Sequence, residues 1–255
     1  MDHPWRLQEI TQKTVRQHDY TVALLPVGAL EAHGMHVPYG SDAFHSAMVA
    51  DRICAKAWDR GARPLLLPAI PFGVQGNTRN FPMTINVRQS HIDAVITDIV
   101  ESLEFHGVKK LVIVNGHGGN DFKPLLRDLY PRTPVFLALV DWWKVGGDAA
   151  KEIFAKGGEH ADEMETSVGM ALFGHLVHLE DAGDGAANRS RFEAVEKGWV
   201  SIARPWHLVT NDSTHGDPRA ASKEKGERYI ELVVDRLAEF IVQLAAAKPD
   251  KRFPY

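Results

Sequence analysis

Three short segments place imidazole and carboxylate groups where an apolar run gives way to a loop or helix. In LPVGALEAHGMHVPYGSD, residues 25–42, Glu31 and His33 follow the apolar run and Asp42 opens the next helical pattern. Residues two apart in an extended chain project to the same side, so Glu31 and His33 can aim at one point. Gly34 and Gly40 allow the turn that brings Asp42 back to it. Asp42 also has a plainer reading as a helix N-cap. A glutamate, a histidine and an aspartate so close together at one strand end favour a metal role. The second segment is VNGHGGN, 114–120, where His117 stands among Gly116, Gly118 and Gly119. A phosphate-binding loop is the alternative, but the lysine of a P-loop and the Rossmann glycine spacing are both missing. The third is GGEHADEMETS, 157–167. On one continuous helix His160 and Glu165 would lie about 140° apart. With His160 ahead of the helix and Glu165 in its first turns, both reach one cavity. Glu159, Asp162 and Glu163 read as ordinary acids at a helix start.

None of these segments contains a thiolate. Mixed nitrogen and oxygen donors suit Zn²⁺, Mn²⁺ or Fe²⁺, and a carboxylate can bridge two such ions. Ions about 3.5–4 Å apart can hold a water as hydroxide and polarise a carbonyl. That chemistry hydrolyses an amide-like bond.

The elements that must carry these groups follow from periodicity. TVALLPVG (21–28), PLLLPAI (64–70), KLVIVNG (110–116) and PVFLALV (134–140) read as strands. They lack polar alternation, as expected of a parallel sheet covered on both faces. Helical spacing predicts helices over 42–60, 90–106, 119–130, 161–173 and 221–247. Gly61 and Gly107 close the first two. The pattern predicts one three-layer α/β/α domain with a mostly parallel sheet, spanning 1–255. Ligands of such sheets bind beyond the carboxyl ends of the strands, where Glu31, His33 and His117 fall. The weakly patterned stretches 71–88 and 182–220 are expected to form site walls or subunit contacts.

Composition narrows the function. A net charge of −4 with dispersed Lys and Arg argues against a nucleic-acid surface. No apolar run is long enough for a membrane span, and the start MDHPWRLQEIT lacks a signal-peptide core. A cytoplasmic protein is expected. The one cysteine, Cys54, excludes an internal disulfide and reads as a small buried side chain in a helix.

The segments VGALEAHGMHVPYGSD, NFPMT (80–84), VNGHGGN, HADEMETS and ASKEKGE (221–227) resemble, in that order, the creatininase (creatinine amidohydrolase) family. The resemblance implies a three-layer α/β hydrolase, a homo-oligomer and often a hexamer, with two divalent ions: zinc with zinc, manganese or iron. It implies Asp42 as the bridge, Glu31 and His117 on one ion, and His33 on the other. His160 resembles the family's proton-shuttling histidine and Glu165 the acid that accompanies it. Two departures matter. A family glutamate ligand two residues beyond the second histidine is Gly119 here, and Glu165 is expected to fill the gap. A family tryptophan is replaced by Lys156, while Trp143, rather than Trp142, matches the other substrate tryptophan. An aromatic contact worth about 0.5–2 kcal/mol is thus lost, which points away from creatinine itself.

The expected function is a metal-dependent amidohydrolase using a metal-bridging hydroxide on a non-peptide or cyclic C–N amide bond of a small molecule. Alternatives are a deformylase acting on a heterocyclic formamide, and a catalytically inactive metal-binding protein. His36, Asn77, Asn80 and Asn120 are secondary candidates for substrate contacts, each with an equally good reading as a loop hydrogen-bonding residue.

Overall fold

A computed structural model describes residues 3–250 and 252–255. Four parallel strands lie in the order β2–β1–β3–β4. They are β1 (Val22–Val27), β2 (Pro64–Leu66), β3 (Lys110–Asn115) and β4 (Phe136–Asp141). The principal helices are α1 (Ser41–Asp59), α2 (Gln89–Phe105), α3 (Lys123–Leu129), α4 (Gly147–Ile153), α5 (Glu163–Phe173) and α6 (Lys223–Ala246).

Every residue of β1 and β3 is buried. Their alternate side chains enter two separate cores, as a two-residue repeat requires. Val22, Leu24, Val112 and Val114 pack with α1, α5 and α6, whereas Ala23, Leu25, Leu111 and Ile113 pack with α2 and α3. This is the three-layer arrangement expected from strands without polar alternation. Helix α1 buries Val49, Ile53 and Ala57 on one face, and Gly61, at φ +89°, takes the left-handed conformation just beyond it. Ser222 caps α6 by accepting from Lys225 N–H.

Two boundaries shift by more than two residues from the sequence pattern, and one helix is additional. The strand expected over 64–70 pairs continuously only from Pro64 to Leu66. Pro68 has no N–H to give the ladder, and contact with β1 resumes where Ile70 N–H donates to Pro26 at 3.0 Å. The helix expected from 119 starts at Lys123, because 117–122 is held as a loop by the Asn115 and Asn120 side chains. The stretch Gly147–Ile153 is a helix that the periodicity did not single out.

Connection β1–α1–β2 runs to one side of β1, and β2–α2–β3 crosses back to the other. The strand order therefore reverses between β1 and β3, and the loops leaving their carboxyl ends diverge around a crevice. Two glycines let α1 sit in it. A Cβ at Gly28, after β1, would collide with the Ala43 backbone, and one at Gly116, after β3, with the Asp42 carbonyl. The first turn of α1 is thus lodged between both strand ends. No helix among the described residues is long and apolar enough to cross a membrane.

Candidate metal centre

The lodged turn carries Asp42. Its N-cap is Gly40, so Asp42 is a residue of the helix itself, and the capping reading of its side chain does not hold. Asp42 Oδ1 lies 3.0 Å from His33 Nε2 and Oδ2 lies 3.1 Å from His117 Nδ1. Glu31 Oε1 is 2.9 Å from the same His117 nitrogen. Glu31, His33, Asp42 and His117 are all buried. With His160 and Glu165 they form three overlapping groups, Glu31–Asp42–His117, His33–Asp42–Glu165 and Glu31–His33–His160, each with its donor atoms within 4.8 Å of one another. Asp42 belongs to the first two, and His160 to the third.

Backbone carbonyls fix which ring nitrogens face the centre. A carbonyl only accepts, so the nitrogen opposite it carries the proton. His33 Nδ1–H donates to the Glu31 carbonyl (3.1 Å) and His117 Nε2–H to the Val74 carbonyl (3.0 Å). His33 Nε2 and His117 Nδ1 then present lone pairs to the carboxylates. His160 is oriented the same way, its Nε2–H donating to Ala32 (2.8 Å) and its Nδ1 lying 3.9 Å from Glu31 Oε1. Glu31 Oε2 accepts from the Thr78 hydroxyl at 2.5 Å.

Lone pairs converging on lone pairs call for positive charge between them, supplied by protons on the rings or by a metal ion that displaces them. Asp42 Oδ2 accordingly has no hydrogen-bond donor in this arrangement. The electrostatics agree. Burial would favour neutral groups, yet the Asp42 carboxylate draws His33 up to about 10 against that burial, and His117 is drawn well up by Glu31 and Asp42. The histidines in turn outweigh burial and hold Asp42 well below the ordinary carboxylate range. Such a pocket attracts positive charge, and its all-nitrogen-and-oxygen donors fit divalent zinc or manganese.

A cleft of about 620 Å³ opens over these donors. His160 precedes α5, separated from it by Ala161 at φ +48°, and Glu165 lies in the first turn. The two residues thus share one cavity. Glu165 Oε2 accepts from Ala161 N–H at 2.6 Å. Gly119, where a glutamate was missed, packs against the His117–Val74 hydrogen bond, and a Cβ there would collide with both partners. Glu165 approaches His33 and Asp42 instead.

Trp143 lines the cleft, whereas Trp142 is buried beside His45. Asn77 and Asn120 also line it, and Asn120 at the same time ties Val74 N–H to the Gly28 carbonyl. Of the other secondary candidates, His36 is buried against Thr166 Oγ1 (2.9 Å) and Asn80 pairs with His207. Sequence reasoning missed Thr78, Arg204 and Trp206. The last comes from the 182–220 stretch and sets its indole 5.7 Å from the His160 ring.

Residues 8–241 match the Creatininase family, described as creatinine amidohydrolase. The chain is 29% identical over 240 residues to a creatinine amidohydrolase of Pseudomonas putida, covering 86% of this chain and 88% of that one. It is 30% identical to a mycofactocin precursor peptide peptidase of Mycolicibacterium smegmatis, over 86% of this chain and 84% of the other. In three dimensions it matches a Bacteroides fragilis protein provisionally described as a creatinine amidohydrolase, with TM-score 0.93, 34% identity, and coverage of 98% of this chain and 100% of that one. A manganese form of creatininase matches with TM-score 0.79 and 26% identity, over 95% of this chain and 99% of that one. A zinc–zinc form of a creatininase variant matches with TM-score 0.78 and 27% identity, over 95% and 98%. Matched along most of its length in sequence and nearly all of it in space, the chain belongs to the creatininase family of hydrolases.

Proposed function

We propose that the chain is one hydrolase domain that binds two divalent ions and cleaves a C–N amide bond of a small molecule. The observation that carries this reading is Asp42, whose two oxygens face His33 on one side and His117 on the other. A carboxylate shared in this way, with Glu31 completing one group and Glu165 the other, is the donor layout of a two-ion centre. When bound, such ions supply a nucleophilic water near neutral pH and polarise the carbonyl.

The protein's own groups do the rest. Hydrolysis adds the hydroxyl of water to the acyl carbon and its proton to the leaving nitrogen. His160 is placed for that proton: Nε2–H is anchored on Ala32, so Nδ1 is the atom that takes and returns it. Trp143 forms a wall of the cleft and orients the substrate.

Two substitutions test the reading on metal-loaded protein. Glu165→Gln should lower the measured ion stoichiometry from two towards one, and retention of both ions would remove Glu165 from the ligand set. His160→Ala should keep both ions and lose hydrolysis by about 10²–10⁴-fold, the usual size of a general acid–base contribution. A wild-type protein that holds its ions yet cleaves nothing in a broad amide panel would instead make the centre a binding site.

A further inference from the structure

Both aromatic walls of the cleft already carry a protein cation. Lys144 Nζ lies 5.7 Å from the Trp143 ring and the Arg204 guanidinium 4.9 Å from the Trp206 ring. An aromatic face attracts positive charge through its quadrupole, and a second cation on the same ring meets the repulsion of the first. These walls therefore disfavour a guanidinium-like ligand.

Arg204 also offers something to a ligand of opposite charge. Elsewhere in the molecule arginines grip a carboxylate with two nitrogens. Arg219 Nε and Nη2 both reach Asp217 at 2.8 Å, and Arg6 Nε and Nη2 reach Asp51 at 2.7 and 2.6 Å. Arg204 Nη2 lies 2.7 Å from Glu159 Oε2 in the wall of the cleft. Nη2 carries two hydrogens, so it can serve Glu159 with one and, together with Nη1, offer a fork whose spacing matches a second carboxylate. Of the other acids that line the cleft, Asp141 is paired with Lys144 at 2.6 Å, Asp162 accepts from Glu165 N–H, Asp121 accepts from Lys123 N–H, and Glu31, Asp42 and Glu165 belong to the candidate ion centre. Trp206 adjoins both groups, its ring 4.9 Å from the Arg204 guanidinium and 5.7 Å from the His160 imidazole.

We propose that the substrate is an amide that also bears a carboxylate, held by the open side of the Arg204 guanidinium with Trp206 packed beneath the intervening carbons. The proposal rests on the amidohydrolase reading above and names the substrate class for that same site.

The test uses zinc- or manganese-loaded protein with N-acyl amino acids, each matched to its own carboxamide. Turnover is followed, and binding is measured separately by calorimetry. The acids should exceed the carboxamides by tenfold or more in kcat/KM. Arg204→Gln should abolish most of that preference by raising KM for the acids at least tenfold more than for the carboxamides. Glu159→Gln, which removes the competing carboxylate, should tighten binding of the acids several-fold, a gain that a purely structural ion pair would not give. Equal handling of acid and carboxamide by the wild type, or an Arg204→Gln effect of the same size on both, would overturn the proposal. Absence of turnover with ions bound would count against the hydrolase reading alone. The calorimetric acid preference, and its loss in Arg204→Gln, would still decide this one.

Discussion

At the scale of single residues, the convergence of Glu31, His33, Asp42 and His117 was legible because each is a metal-ligating type placed just past a strand end or, for Asp42, at the start of the next helix. Gly119 shows how a gap can be as informative as a side chain. Its missing Cβ leaves room for the hydrogen bond from His117 Nε2 to Val74, which turns Nδ1 towards Glu31 and Asp42. Gly119→Ala should therefore break that bond, destabilise the protein by roughly 1–3 kcal/mol, and lower occupancy of the Glu31–Asp42–His117 position. Full ion content and unchanged melting in that variant would show that the ring orients itself by other means. The carbonyls of Glu31, Ala32 and Val74 that orient the three histidines were not legible, since every residue has a carbonyl and only the fold decides which one a ring meets. Trp206 was hidden for a different reason. It lies in a stretch without periodicity, where nothing local says which way a side chain faces.

At the scale of elements, the helix α5 and the loop before it depend on one buried carboxylate. Glu163 is fully buried, accepts from the N–H groups of Ala155 and Lys156, and is paired with Lys225 on α6 at 2.5 Å. It thereby fixes the 155–160 loop that ends in His160. The acid-rich helix start had an adequate explanation in the helix dipole, and that explanation concealed Glu163, whose partners lie on the preceding loop and a distant helix. Lys225→Met would strand the carboxylate, at a cost of about 3 kcal/mol, the low end for a broken buried pair because Lys225 is partly exposed. We expect kcat to fall tenfold or more with KM little changed, and Lys225→Arg to restore most of it. Unaltered kcat in a folded Lys225→Met protein would dissociate the latch from proton transfer.

At the scale of the whole molecule, the layer order followed from strands that are apolar throughout and helices that are apolar on one side. The strand order did not, because the reversal between β1 and β3 is a long-range property that no local pattern encodes. Yet that reversal brings the segments around 31, 42, 117 and 165 to one place.

The seating of α1 between Gly28 and Gly116 has a consequence for the lifetime of the fold. In the unfolded chain the donor segments are far apart, so an ion held as proposed binds the folded form almost exclusively and acts as a removable crosslink between the sheet and two helices. Free ion then enters the folding equilibrium by mass action, adding about 2.7 kcal/mol at a hundredfold excess over its dissociation constant. Chelation should lower Tm by roughly 5–10 °C at this chain length. An unchanged Tm would mean that the sheet end holds its buried acids together unaided. Otherwise the supply of metal sets both the rate of the chemistry and the fraction of chains that stay folded long enough to perform it.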